Sequence, residues 1–221
     1  VKVLLPEQII CLITDRRRTR GRSIASVVSS ALAGGVNMIQ LREKDLPARD
    51  LLAMAKELRV LTARRALLFI NDRVDVALAV NADGIQLGEN SLPVKEVRHL
   101  SNDRLIIGRS VHNVSGAAEA QARGANFLIS GTIFPSKSHT NYEAAGLKLL
   151  QDLRTLVRIP YLAIGGITSQ NIAMAVNAGA SGVAIISAIS ESQDVEAEAR
   201  AVVNAVTYAR DYSTNLDDKT T

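Results

Sequence analysis

The chain reads as an α/β protein folded into a single-domain (β/α)8, or TIM, barrel, and three observations carry that reading. Short apolar runs stop abruptly at Gly, Ser, Thr or a charged residue, as buried parallel strands do when they deliver polar groups to a rim. Stretches with apolar residues at helical spacing lie between them, so eight strand and helix units alternate. A chain of 221 residues, 47% of them hydrophobic, suits one large barrel better than two small domains. Right-handed crossovers of this length put each helix outside the sheet. An open doubly wound sheet is the competing architecture, but no GxGxxG follows the first strand.

Gln8 to Thr14 form the first expected strand. Ser23 then caps a helix carrying Ile24, Val27, Val28, Ala31 and Leu32, which stops at Gly34-Gly35. The second strand is Met38 to Leu41, with Arg42, Glu43 and Lys44 straight off its end, and Pro47 opens a helix with Leu51, Leu52, Ala55 and Leu58. Strand three, Ala66 to Ile70, ends in Asn71-Asp72, and a short helix from Val74 to Val80 leads to strand four, Gly84 to Leu87. After a helix near Pro93, strand five (Arg104 to Gly108) runs into Ser110 and His112, and a helix spans Val114 to Arg123. Strand six is Phe127 to Ser130. The loop from Gly131 to Ala145 is the longest connection, and long loops in compact domains are usually functional. The series ends with a helix from Leu147 to Leu156, strand seven (Tyr161 to Ile164), a helix from Ser169 to Ala178, strand eight (Gly182 to Ile186) and a helix from Val195 to Tyr212. The barrel thus covers residues 1–212, and residues 213–221, with almost nothing apolar to bury, are expected to be a disordered tail.

Composition excludes several functions. Aromatic residues are 3% of the chain and Trp is absent, which leaves no stacking platform for nucleic acid, and the net charge of +4 comes with no reader motif. The basic run Arg16 to Arg22 is expected to be a solvated loop, with an anionic substrate at the mouth as the alternative. No run approaches the ~18 apolar residues of a membrane span, and no signal peptide is recognised before the first strand. A lone Cys11 inside an apolar run cannot form an internal disulfide and is read as a buried, inert thiol. A cytoplasmic location is expected.

In such a barrel, polar residues just after strands are site candidates. The rule selects Gln40, Arg42 and Lys44; Asn71 and Asp72; Glu89; Ser110 and His112; and Thr132, Ser136, Lys137, Ser138 and His139, and it rejects His99 on an outer helix face. Gln40, Arg42 and Lys44 alternate, so extended backbone turns them to one face and Leu41 and Glu43 to the other. Two cations converging on the mouth make an anion site, against the alternative of a salt-bridged surface run. Gly165, Gly166, Thr168 and Ser169, then Ser187, are the small donor-rich ends of consecutive strands, where such barrels usually grip a phosphate. Taken alone, Gly-Gly is a tight turn and Ser169 a helix cap. Asp72 is either a Mg2+ ligand or the N-cap of the following helix, and His112 is the histidine best placed to move a proton.

The motifs ITD at Ile13, QLREK at Gln40, ND at Asn71, ADGIQLGE at Ala82, GRSVH at Gly108, SGTIFPSKSH at Ser130, AIGGIT at Ala163 and AGASGVAIISAI at Ala178 resemble the thiamin phosphate synthase and TenI-type thiazole tautomerase superfamily over nearly the whole chain to Ser190. The resemblance implies a TIM barrel, often a homodimer, that binds a thiazole ethyl phosphate at Ser136, Ser138, Gly166, Ile186 and Ser187. For the synthase branch it further implies that Arg42, Lys44 and Asn71, helped by Ser110, hold the pyrophosphate of a hydroxymethylpyrimidine substrate, with Mg2+ on two aspartates. No organic cofactor is implied. Asp72 matches the first aspartate, but Ser91 stands where the second belongs, and His139 replaces the Lys that ends the PTxTK motif. The tautomerase branch places its catalytic His after a Gly, and here Gly131 is followed by Thr132, so His112 or His139 would have to take over. Because these departures fall on the pyrophosphate half, the TenI-like tautomerase is placed ahead of the synthase, and a non-catalytic binding paralogue third.

Overall fold

The computed structural model describes residues 4–135 and 144–217, with side chains described as far as residue 212. Eight parallel strands close in sequence order: β1 (Ile9–Ile13), β2 (Met38–Leu41), β3 (Leu67–Asn71), β4 (Gly84–Leu87), β5 (Ile106–Val111), β6 (Phe127–Gly131), β7 (Tyr161–Ile164) and β8 (Gly182–Ile185). Closure is made by β8 returning to β1, with Cys11 opposite Ala184. Between the strands run α1 (Ile24–Ala33), α2 (Ala48–Thr62), α3 (Val74–Ala79), α4 (Val94–Ser101), α5 (Val114–Ala122), α6 (Gly146–Leu156) and α7 (Ile172–Asn177); α8 (Ser187–Ser190) and α9 (Val195–Asp217) follow β8.

Strand alternation sorts the apolar residues into two cores. Ile9, Cys11 and Ile13 point into the barrel with Met38, Phe69, Phe127, Ile129 and Leu162, whereas Ile10 and Leu12 pack under the helices. Phe69 and Phe127 meet edge to face with centroids 5.4 Å apart and fill the barrel centre. Their room comes from Gly84 and Gly108, where an added Cβ would lie 2.2 Å and 2.4 Å from those rings. Cys11 is fully buried, and burial pushes its thiol far up from the ordinary range, which makes it inert.

Several boundaries differ from the sequence reading. Strand β5 runs on to Val111, since Ser110 and Val111 pair with Ile129 and Ser130; Ser110 therefore sits inside the strand. Helix α7 starts at Ile172 and Ser169 is not its cap: Asn171 precedes it, and its amide instead accepts from Thr168 N at 2.9 Å and donates to Gly166 O at 2.8 Å, pinning the Gly-Gly turn. The extra turn α8, unexpected from sequence, follows β8 directly. The last helix continues to Asp217, five residues past its expected end at Tyr212, and residues 218–221 lie outside the described residues.

Candidate active site

A cavity of about 1110 Å³ opens at the C-terminal rim of the barrel. Gln40, Arg42, Lys44, Asn71, Asp72, Ser110, His112, Thr132, Gly166, Ile186 and Ser187 all line it, so every expected site residue within the described part of the chain meets at one mouth. Ser136, Ser138 and His139 lie outside the described residues. His99 is exposed on α4, away from this cavity, as expected.

One side of the mouth is built from side chains. Arg42 and Lys44 line the cavity, and neither has an ion-pair partner among the described residues, which leaves two cations for an incoming anion. The carboxylate between them, Glu43, turns the other way and is 5% exposed. It accepts from Thr14 Oγ1 at 2.8 Å, from Arg16 N at 3.1 Å and from the Arg16 guanidinium at 3.1 Å. The run Arg42-Glu43-Lys44 is thus sorted by charge, positive toward the cavity and negative toward the loop after β1.

Behind the cations a hydrogen-bond chain crosses the floor. Gln40 Nε2 donates to Asn71 Oδ1 at 3.0 Å, and Asn71 Nδ2 donates to Asp72 Oδ2 at 2.7 Å. Asp72 Oδ1 accepts from Gly88 N at 3.2 Å and from the Ser91 hydroxyl, and Gly88 N also bonds Ser91 Oγ at 2.6 Å. Asp72 has φ +60°, a left-handed conformation that Asp tolerates better than most residues. It does not cap α3, whose N-cap is Arg73, so the helix-cap alternative is excluded. Gln40 Oε1, buried with no hydrogen-bond partner among the described residues, is an acceptor available to a ligand N–H.

These donors fit Mg2+ of a particular kind. Among the described residues no group of three metal-binding side chains assembles, but Mg2+ needs only one or two carboxylates when substrate phosphates complete its octahedron. Asp72 supplies the carboxylate, and Ser91 Oγ supplies a weaker neutral oxygen beside it.

The other side is built from backbone. Gly165 and Gly166 have φ +95° and +62°, and a Cβ on Gly166 would lie 2.7 Å from Pro135 O and 2.8 Å from Phe134 O, so neither position accepts a side chain without strain. Ile186 and Ser187 begin α8 next to this turn, and all of them line the same cavity.

His112 stands between the two sides, with Nδ1 against the carbonyl of Gly131 and Nε2 3.9 Å from Glu89 Oε1. A carbonyl can only accept, so Nδ1 carries the proton. The basic run after β1 is not the solvated loop expected. Arg16 grips Glu43 and Asp45, Arg17 bonds Asp15, Arg18 bonds Glu191 at 2.7 Å, and Arg22 donates to the carbonyls of Ser190 and Ser192 at 2.8 and 2.7 Å. Sequence reasoning missed the partners of Arg16, Arg18 and Arg22 because they lie far along the chain.

A closed (β/α)8 barrel with a cationic patch and a glycine-lined turn at one C-terminal mouth defines a phosphate-handling barrel enzyme. The family model described as thiamine monophosphate synthase matches residues 10–189, and the chain belongs to that family. It is 42% identical over 201 residues to a thiamine-phosphate synthase of Methanoculleus marisnigri, covering 90% of this chain and 95% of that one. Against the thiamine-phosphate synthase of Pyrococcus horikoshii it is 42% identical over 186 residues, covering 84% and 88%. The solved structure of thiamine phosphate pyrophosphorylase from Pyrococcus furiosus superposes with TM-score 0.85 at 38% identity, over 92% of this chain and 97% of that one. Among the described residues no helix is long and apolar enough to cross a membrane.

Proposed function

We propose that this chain is a thiamin phosphate synthase, which joins hydroxymethylpyrimidine pyrophosphate to a thiazole phosphate and releases pyrophosphate. The observation that carries the reading is the pair of anion-binding sides in one cavity, with Arg42 and Lys44 unpaired on the first. A tautomerase acting on a carboxythiazole phosphate would offer these two cations a single carboxylate, whereas a pyrophosphate carries enough charge to engage both. At about 1110 Å³ the cavity also lies above the ~300–1,000 Å³ usual for a single small ligand. The names of the relatives support the same branch, so the order expected from sequence, tautomerase first, is reversed.

In this mechanism the bond from the pyrimidine methylene to pyrophosphate oxygen breaks with its electron pair on oxygen, and the thiazole nitrogen donates its lone pair to the carbon, forming C–N. No proton moves. Arg42 and Lys44 meet the charge that grows on the leaving oxygens, where preorganised cations contribute most. Asn71 and Ser110 orient the pyrophosphate, and Gly166 and Ser187 hold the thiazole phosphate, with Ser136 and Ser138 as further candidates there. Mg2+, when bound with the substrate, neutralises pyrophosphate charge; Asp72 and Ser91 are the residues that would hold it. His112 and Thr132 line the cavity without a proton to transfer, and His139 occupies the sequence position of a pyrophosphate-contacting cation.

Incubation of the full chain with both substrates and Mg2+ tests the reading. Thiamin phosphate and pyrophosphate should appear in equal amounts. Aromatisation of a carboxythiazole phosphate without any thiamin phosphate would return the tautomerase to first place.

A further inference from the structure

The loop after β1, from Thr14 to Arg22, touches both sides of the cavity. Toward β2, Thr14 Oγ1 donates to Glu43 at 2.8 Å and accepts from Arg42 N at 3.0 Å, so one hydroxyl joins the buried carboxylate to the backbone of the first cation. Arg16 closes the same junction, with its backbone N–H and guanidinium on Glu43 and both terminal nitrogens on Asp45 at 2.7 and 2.6 Å. Glu43 has its side chain 2% exposed, and Arg16 is its only charged partner among the described residues. Toward β8, Arg22 donates to Ser190 O and Ser192 O, carbonyls at and just past the end of α8, and Arg18 bonds the Glu191 side chain between them.

The structure assigns this loop the role of a brace that sets the cationic side and the glycine side in position relative to each other, with Glu43 and Arg22 as its two anchoring residues. The inference rests on the two anion subsites of the reading above. The reason is geometric: Arg42 and Lys44 leave β2 on a short segment with few bonds of its own, and a displacement of about 1 Å in a positioning group costs up to ~100-fold in rate. A buried carboxylate that accepts from a hydroxyl, a backbone N–H and a guanidinium at once fixes a segment more tightly than solvated charges do. Glu43 and Arg22 are positioning residues; neither lines the cavity.

The two arms predict a crossed result. Isothermal titration of the full chain with inorganic pyrophosphate in Mg2+, and separately with hydroxyethylthiazole phosphate, gives two affinities for each variant. Glu43→Gln should weaken pyrophosphate binding ~10-fold and thiazole phosphate binding by less than ~2-fold, and Arg22→Met should do the reverse. Arg16→Lys, at a partly exposed position, keeps a positive charge beside Glu43 and should give a smaller loss of the same sign, about 3-fold, which preserves the test if Glu43→Gln does not fold. Arg22→Lys serves in the same way on the other arm. Equal loss of both affinities in the variants, the mark of a general loosening, overturns the brace, as does no loss, or a wild type that binds no pyrophosphate. A wild type that makes no thiamin phosphate, but whose pyrophosphate affinity still falls with Glu43→Gln, sinks the synthase reading and leaves the brace standing.

Discussion

The two sides of the cavity solve one problem by different means. At the ends of β2 and β3 an anion would meet side chains: Arg42 and Lys44, without ion-pair partners among the described residues, and Asn71, held by Gln40 and Asp72. At the ends of β7 and β8 it would meet backbone, shaped by Gly165 and Gly166 at positive φ and by the amide of Asn171 bonded to Gly166 O. A site of backbone donors is fixed by local conformation and tolerates few changes, whereas a site of long side chains can drift one residue at a time. Ser91, a departure from the synthase pattern, stands beside Asp72 on the side-chain half.

The comparison breaks most clearly under a charge placed on the backbone side. Ser187→Asp puts a carboxylate where the thiazole phosphate would sit, and like charges in contact cost several kcal/mol, so affinity should fall by more than ~100-fold with pyrophosphate binding retained. Calorimetry with each ligand reads the difference; surviving thiazole phosphate affinity would move the grip elsewhere.

Removing one cation on the other side should cost less. Lys44→Ala loses one charge-assisted contact of about 1.5–3 kcal/mol, or roughly 10–100-fold in KM for the pyrimidine substrate, while KM for the thiazole phosphate stays within about 2-fold. Losses in both constants would mean the two sides are not separate subsites.

The Ser91 departure can be reversed. Ser91→Asp sets a second carboxylate beside Asp72, which should lower the thermal midpoint of the metal-free protein and make it recover with Mg2+. The Mg2+ concentration at half-maximal activity should fall ~10-fold, about 1.4 kcal/mol. A midpoint indifferent to Mg2+ would show that the two positions do not share a metal.

His112→Ala is expected to change turnover by less than about 3-fold, because forming the C–N bond moves no proton, whereas loss of a general acid or base costs ~100-fold or more. A loss of that larger size would point back to isomerase chemistry.

The smallest effect concerns acid. The guanidinium of Arg16 beside Asp45 lowers its carboxyl to about 2. A carboxylate depressed in the folded state contributes stability that is fully present above its unfolded pKa, roughly 3.9, and is lost as pH falls through the folded value. The Arg16 to Asp45 arm should therefore persist at pH 4 and open near pH 2, seen as the carboxyl-carbon NMR titration of Asp45. A midpoint near 4 would mean that Arg16 does not hold it.

Much of this was legible in the sequence because it depends on short-range pattern. Strands β2, β4 and β7 carry the bounds that alternation and turn residues imply, and every described site candidate reaches one mouth. What was hidden depends on distant partners. Nothing near Arg16 says that its counter-charges are Glu43 and Asp45, or that Arg22 will meet carbonyls about 170 residues on. Likewise the two readings of Asp72, helix cap or site residue, separate only when Gly88 and Ser91 fold against it. Four-residue α8 has too few residues for a period to appear.

The claim that both halves act in one cavity is tested most directly by a crystal structure of the chain grown with thiamin phosphate, pyrophosphate and Mg2+. Pyrophosphate should lie on Arg42, Lys44 and Asn71, and the thiamin phosphate group on the backbone of Gly166 and Ser187 in the same molecule. Pyrophosphate anywhere outside this cavity, with thiamin phosphate bound alone, would contradict the account.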